Sequence, residues 1–154
     1  MSILLGPAPH LAHFITDLKT RSRDSVLGEL ARQAQGSGAS RGAEPLRGTL
    51  LMRERLGSTA VGHGVAVPNA RSLLVTRPVV LVGRSRRGVE WGAEDGEPVR
   101  VVVLVLSPAA TPAPGHLAAV ARVAAAARLA RSRQRLLESD DPAEVAGLLG
   151  DPAR

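Results

Sequence analysis

The sequence predicts an α/β layered fold in a single domain, 1–154. Strand-like and helix-like segments alternate along the chain, and a length of 154 residues buries about two-thirds of the unfolded surface in one core. The longest strand-like apolar run, 101–106, contains no polar residue, which is typical of a central strand covered by helices on two sides.

The first part of the chain is expected to form a strand followed by two helices. Residues 11–17 have the length and apolar content of a strand. Ser22 is expected to cap a helix over 23–35, because the apolar residues there form one helical stripe. Pro45 opens a second helix that ends before Gly57.

The remaining elements alternate in the same way. Further strands are predicted at 63–67, 78–83 and 99–106, with a turn over 88–97. An alanine-rich helix is predicted from His116 to about 130, and short helices at 134–137 and 142–149. The last helix has Asp141 as its cap, Pro142 in its first turn and Glu144 in the capping-box position.

Composition excludes several kinds of chemistry. Cysteine is absent, which excludes disulfides and thiolate metal sites. Basic residues outnumber acidic ones by 20 to 14, and we attribute this arginine surplus to a GC-rich genome more readily than to an acidic partner. Phe14 and Trp91 are the only aromatic residues, so stacking platforms for single-stranded nucleic acid are lacking. We therefore expect no nucleic-acid partner, although arginines near the end of the long helix leave that alternative open.

The chain also lacks targeting and membrane signals. Residues 1–7 contain neither the basic region nor the long apolar stretch of a signal peptide. The run 101–106 is too short to span a bilayer. We expect a cytoplasmic protein without membrane insertion.

Residues 53–71 are the most informative segment. Their pattern predicts the end of a helix, a glycine-rich turn and a short apolar strand that stops at Pro68. Asn69 follows directly, where a reactive side chain would be presented. Two later features belong with this segment: the glycine-rich and acidic stretch 88–99 before the central strand, and His116 at the start of the long helix.

Together these motifs resemble the enzyme IIA domains of the phosphotransferase system, of the fructose–mannitol and nitrogen-regulatory type. The resemblance covers nearly the whole chain and implies a mixed, mainly parallel sheet of about five strands with helices on both faces. In that family the strand ends in Pro-His, and the histidine accepts a phosphoryl group from the carrier protein HPr. Here the corresponding residue is Asn69.

The same resemblance implies the site residues. His116 matches the second active-site histidine of the family and Arg53 the arginine before the Gly-Ser-Thr turn, so both would neutralise phosphoryl oxygens beside Asn69. The glycines would let backbone N–H groups approach the same oxygens. The expected binding residues are Gly57, Ser58, Thr59, Gly62, His63, Gly64 and Pro68. No metal and no cofactor are expected.

Two functions remain open at this point. The amide of Asn69 has no free nitrogen lone pair, which favours a regulatory or binding domain that has lost its phosphoryl acceptor. The resemblance suggests an HPr-like phosphocarrier, a sensor kinase or a transporter regulatory protein as candidate partners, and a second copy of the chain is a further candidate. The alternative is an active phosphocarrier that uses His63 or His116.

Two weaker patterns resemble a metal site and a nucleotide site, but neither is expected to bind a ligand of that kind. His10 and His13 have the spacing of metal ligands on one helical turn, but no third ligand accompanies them, so a surface pair is expected. Residues 57–64 resemble a phosphate loop, yet no Gly-Lys-Ser/Thr follows, so a nucleotide site is not expected there.

Overall fold

The computed structural model describes residues 9–150, which contain six strands and five helices. The strands are β1 (His10–Ile15), β2 (Ala60–Gly62), β3 (Val65–Ala66), β4 (Asn69–Ser72), β5 (Val79–Val89) and β6 (Val99–Pro108). The helices are α1 (Arg23–Gly36), α2 (Glu44–Leu56), α3 (Ala113–Arg128), α4 (Ala130–Glu138) and α5 (Pro142–Gly150). The expectation of no signal peptide in residues 1–7 lies outside the described residues.

The strands form one mixed sheet in the order β1-β5-β6-β3-β2, and β4 pairs with β6 beyond the end of β3. Strand β1 is parallel to β5, and both β3 and β4 are parallel to β6. The pairs β5–β6 and β2–β3 are antiparallel. The predicted mixed, mainly parallel sheet is therefore confirmed, with one strand more than expected.

Alternate residues along the strands pack into two hydrophobic cores, one on each face of the sheet, because successive side chains of a strand point to opposite faces. Helices α1 and α2 cover the face that contains Val102, Leu104 and Leu106. Helices α3, α4 and α5 cover the opposite face, which contains Val101, Val103 and Val105. Since β6 is buried on both sides, its uninterrupted apolar run follows from its central position.

Most predicted elements are present, but the segment 57–72 differs from the prediction. The single strand expected at 63–67 is instead a hairpin of β2 and β3, whose turn places His63 at φ 56° and Gly64 at φ 79°. A left-handed histidine is uncommon, and the sequence contains no signal that requires it. The chain also continues after Pro68 as β4, which was not predicted.

Two local predictions need correction, namely the start of the long helix and the capping box at Glu144. Helix α3 begins at Ala113 instead of His116, because Pro114 is tolerated in the first helical turn. His10 and His13 are both exposed, as expected of a surface pair, and they lie on strand β1, so they do not share a helical turn. Glu144 forms no capping box; its carboxylate accepts hydrogen bonds from Arg135 at 2.6 and 3.1 Å, which lowers the pKa of Glu144 to about 2.

Other local signals are confirmed. Ser22 Oγ accepts a hydrogen bond from Ser25 N at 3.1 Å and caps α1. Asp141 Oδ1 accepts from Ala143 N at 3.0 Å at the start of α5. Within residues 9–150, no helix has the length and apolar content needed to cross a membrane.

The central strand allows a direct test of where the core lies. Leu104 is fully buried, whereas Leu56 is 87% exposed. Leu104→Ala should reduce the free energy of unfolding by about 2–5 kcal/mol, because a cavity remains between β6 and helices α1 and α2. Urea unfolding measures this change, and Leu56→Ala is the matched control, with an expected change within about 0.5 kcal/mol. Equal changes in both variants would contradict this packing.

Candidate functional site

The candidate site lies where polar residues replace the valines on one face of the sheet. Residues 65–72 pair with 101–108 in constant register, from Val65 opposite Val101 to Ser72 opposite Pro108. The odd-numbered residues of both segments therefore point towards α3. Towards the carboxyl end of these two segments, Asn69, Arg71 and Ser107 take the positions that valines occupy earlier on the same face.

His116 lies in the first turn of α3 and spans these polar residues. Its side chain is buried, with 6% of the residue exposed. Its Nδ1 is 2.7 Å from Ser107 Oγ, and its Nε2 is 3.1 Å from Asn69 Oδ1. Both ring nitrogens of His116 therefore have a hydrogen-bond partner.

The amide of Asn69 determines which ring nitrogen carries the proton. Asn69 Nδ2 donates to Val67 O at 3.1 Å, and this carbonyl oxygen can only accept. Asn69 Oδ1 must then face His116, so the imidazole Nε2–H is the donor. In the neutral ring the lone pair is consequently on Nδ1, where it accepts from the Ser107 hydroxyl.

The surroundings of His116 favour that neutral form. Burial lowers the pKa of His116 below the ordinary 6.5, and the nearby Arg71 guanidinium lowers it further. Arg71 itself is exposed and donates to Thr111 O at 3.0 Å, which keeps its charge beside the start of α3. The site is thus positive at its rim and neutral at the imidazole.

A cavity of about 170 Å³ opens beside Asn69. Polar and cationic groups enter it from the end of α2 and the following turn, and apolar groups from α3. Its lining consists of Arg53, Ser58, Thr59, Ala60, Val61, Val67, Asn69, Val120 and Ala124. A small cavity with a guanidinium, hydroxyls and an amide suits a small anion.

The turn 57–59 is fixed by the last residues of α2. Arg53 Nη1 donates to Gly57 O at 2.8 Å. The carboxylate of Glu54 is buried and accepts from Thr59 N at 3.1 Å and from the Thr59 hydroxyl. These bonds hold Ser58 and Thr59 at the cavity without any help from a ligand.

The structure brings together only part of the predicted site. Asn69, Arg53, Ser58 and Thr59 line the cavity, and His116 contacts it through Asn69. The other predicted binding residues are absent from that lining: Gly57, Gly62, His63, Gly64 and Pro68. Their binding roles therefore stay predictions.

His63 is exposed and lies in the turn of the β2–β3 hairpin. Its backbone N–H donates to Asp95 Oδ2 at 3.0 Å, and Asp95 Oδ1 accepts from Glu97 N at 3.0 Å. These two backbone N–H groups, that of Glu97 first, lower the pKa of Asp95. The contact ties the β2–β3 hairpin to the turn before β6.

Sequence reasoning missed Ser107, Arg71 and Glu54. Ser107 had one available signal, because it is the first polar residue after the central apolar run, at the carboxyl end of a strand. Arg71 and Glu54 depend on the register of β4 and on the turn geometry, which no pattern specified. Among residues 9–150, no group of three or more His, Asp or Glu side chains is arranged to hold a metal ion.

Residues 10–151 match the protein family described as "Phosphoenolpyruvate-dependent sugar phosphotransferase system, EIIA 2". The chain belongs to this family. As an EIIA type 2 domain, it is 35% identical over 136 residues to a nitrogen regulatory protein of Bradyrhizobium diazoefficiens, covering 88% of this chain and 87% of the relative.

Two further matches are a longer, fructose-specific relative and a solved structure. The EIIA chain is 28% identical over 126 residues to the fructose-specific EIIABC component of Bacillus subtilis, covering 80% of this chain but 19% of that relative. The crystal structure of nitrogen regulatory protein IIA-Ntr from Neisseria meningitidis has a TM-score of 0.79 at 27% identity, covering 90% of this chain and 92% of that one. The fold of this EIIA domain is therefore the family fold.

The lowered pKa of His116 predicts how the stability of the domain depends on pH. Because the folded pKa lies below 6.5, the unfolded chain binds the proton more tightly than the folded chain. The free energy of unfolding should fall as the pH is lowered from about 7.5 through the unfolded and then the folded pKa, and this contribution should level off below that.

Urea unfolding of the wild type and of His116→Gln between about pH 7.5 and 5 measures the effect. The other histidines are common to both proteins, so their contributions cancel in the difference. As the pH is lowered, the free energy of unfolding of His116→Gln should fall less than that of the wild type. A steeper acid loss in His116→Gln than in the wild type would contradict the burial of a neutral imidazole.

Proposed function

We propose that Asn69 occupies the position of the phosphorylated histidine of the family, and that this EIIA-type domain acts by binding partners instead of carrying a phosphoryl group. The observation that carries the proposal is the hydrogen bond of 3.1 Å between Asn69 Oδ1 and His116 Nε2, beside a cavity lined by Arg53. This arrangement supports a pocket that keeps its shape while lacking a nucleophile.

The chemistry of the amide is the first argument. Phosphoryl transfer needs an atom with an available lone pair to attack phosphorus. The nitrogen lone pair of Asn69 is delocalised into its carbonyl, and Nδ2 donates to Val67 O. Losing a stabilising group lowers such a rate by about 10²–10³, but without the nucleophile the covalent step cannot occur.

The alternative, an active phosphocarrier, requires His116 or His63 as the acceptor. His116 is buried, its Nε2 donates to Asn69, and its Nδ1 accepts from Ser107. His63 is exposed but lies in the hairpin turn, outside the cavity lined by Arg53, Ser58 and Thr59. Neither imidazole combines a free nitrogen with the stabilising groups, which favours the binding function.

Exposed leucines around the cavity support a role in docking. Leu56 is 87% exposed and follows the cavity residue Arg53 by one helical turn on α2. Leu117 is 62% exposed and lies one turn before the cavity residue Val120 on α3. An apolar rim around a basic cavity fits a protein partner, such as an HPr-like phosphocarrier, a sensor kinase or a transporter regulatory protein.

Phosphorylation can be tested by mass spectrometry. Wild-type protein incubated with phosphorylated HPr should gain no phosphoryl mass, because the amide nitrogen of Asn69 has no free lone pair. Asn69→His should gain one phosphoryl group, since Arg53, Ser58 and Thr59 line the cavity beside residue 69 and would stabilise its oxygens. Adding Arg53→Gln to Asn69→His should slow the transfer by about 10²–10³-fold.

Asn69→Gln is the matched control, because it changes the side chain without adding an imidazole, and it should remain unphosphorylated. A phosphoryl group on the wild type that disappears in His116→Gln or His63→Gln would establish the phosphocarrier alternative. Failure of Asn69→His to accept a phosphoryl group would show that the pocket is not preserved.

Docking predicts a separate effect on affinity. Leu56→Asp should weaken the binding of HPr by about 30-fold, because a charged group replaces an apolar contact at the cavity rim. Titration calorimetry measures this dissociation constant. Leu137→Asp is the control, since Leu137 is 38% exposed and lies beside Arg84, away from the cavity, so a change below about twofold is expected. Equal losses in the two variants would exclude docking at this rim.

A further inference from the structure

We propose that this domain has a second anion site, which binds a short polyphosphate at the end of the sheet opposite Asn69. The site is a depression of about 440 Å³ between the β1–α1 loop and the second half of β5. Its lining includes Lys19, Arg21, Ser85, Arg86 and Arg87, and we call it the basic depression. Its volume is in the range of roughly 300–1,000 Å³ that small-molecule sites occupy.

The basic depression is separate from the candidate functional site. Asn69 lies opposite Val105 on β6, whereas Arg84 of β5 lies opposite Val101. Four residues of strand separate these positions, or about 13 Å along the sheet, and Arg86 lies further in the same direction. Occupation of one site therefore does not require the other.

Four cationic side chains of the basic depression have no partner among residues 9–150. In the described part of the chain, the head groups of Lys19, Arg21, Arg86 and Arg87 form no hydrogen bond or ion pair. Asp17 is the one carboxylate in the lining, so four positive charges face one negative charge. This excess of three charges matches a multiply charged anion better than a single carboxylate or a monoanion.

Two arginines next to the basic depression, by contrast, are hydrogen-bonded within the protein. An adjoining cavity of about 310 Å³ shares Ser85 and Arg86 and is also lined by Arg84 and Arg100. Arg84 donates to Leu137 O at 3.1 Å, to Ser139 O at 2.6 Å and to Asp140, while Arg100 donates to Arg86 O at 2.7 Å. These two arginines have structural roles, in contrast to Arg86 and Arg87.

The backbone that carries the free cations is fixed in place. Leu18 N donates to Arg84 O at 2.6 Å, so the β1–α1 loop is bonded directly to β5. The buried carboxylate of Glu29 accepts from Lys19 N at 3.2 Å, from Thr20 N at 3.1 Å and from Thr20 Oγ1 at 2.8 Å. A Cβ on Gly83 would be 2.8 Å from Leu18, which shows how closely loop and strand pack. An anchored loop lowers the entropic cost of binding an anion.

The donor set favours phosphate oxygens. Guanidinium groups bind phosphate in a bidentate way, and three arginines with one lysine approach the basic depression from two separate segments. No aromatic side chain is part of the lining, so bases of a nucleic acid would find no stacking surface. A polyphosphate chain carries enough charge in a small volume to contact several of these cations at once.

Titration calorimetry with inorganic tripolyphosphate tests the proposal at an ionic strength of about 50 mM, where screening is modest. The double variant Arg86→Gln/Arg87→Gln should weaken binding by about tenfold or more, because two charged donors are removed. Arg128→Gln/Arg131→Gln is the matched control, since both of its arginines are exposed and have no partner in the described residues. Each double variant lowers the net charge of +6 by two, so the two variants differ in where the charges are removed and not in how many. Because the control leaves the basic depression unchanged, it should change binding by less than about twofold.

Three results would overturn the proposal. The first is the absence of saturable tripolyphosphate binding below about 1 mM. The second is an equal loss of affinity in the two double variants, which would indicate attraction to net charge alone. The third is a single-stranded oligonucleotide or an acidic peptide that binds more tightly than tripolyphosphate and displaces it, which would assign the surface to a macromolecule. Thermal unfolding of each variant establishes that the fold is retained.

Discussion

The parallel pairing of residues 65–72 with β6 determines the geometry of the candidate site. Because the register is constant from Val65 to Ser72, the same face that buries valines further down the sheet presents Asn69, Arg71 and Ser107 at its end. A slip of one residue would turn all of these side chains to the opposite core. His116 can contact both Asn69 and Ser107 only because α3 packs on that face.

The sequence predicted the elements that depend on simple periodicity. The buried run of β6, the stripe and cap of α1, and the helices on both faces all follow from hydrophobic pattern and end signals. The β2–β3 hairpin and β4 were not predicted, because a left-handed His63 and a strand that resumes after Pro68 depend on tertiary pairing. Likewise the family resemblance predicted Asn69, Arg53 and His116 as site residues but not Ser107, whose contact with His116 depends on the register of two strands.

Positive charge has different functions in different parts of this domain. At the candidate site, Arg53 donates to Gly57 O and Arg71 donates to Thr111 O, so each guanidinium already interacts with the protein. Arg84 likewise anchors the end of α4 to the sheet. In the basic depression, the side chains of Arg86 and Arg87 make no hydrogen bond or ion pair with the described residues. Unengaged cations on a rigid backbone are therefore better evidence for ligand binding than the net charge of the chain.

The tautomer of His116 at neutral pH is the most direct test of the hydrogen-bonded pocket. Two-dimensional NMR that correlates the ring nitrogens of a ¹⁵N-labelled histidine with its carbon-bound protons identifies which nitrogen is protonated. With Asn69 Oδ1 as acceptor, the proton should be on Nε2 and the lone pair on Nδ1, facing Ser107. A proton on Nδ1 would place the lone pair on Nε2, beside Asn69, and would contradict the hydrogen-bond arrangement on which the proposed loss of the phosphoryl acceptor depends.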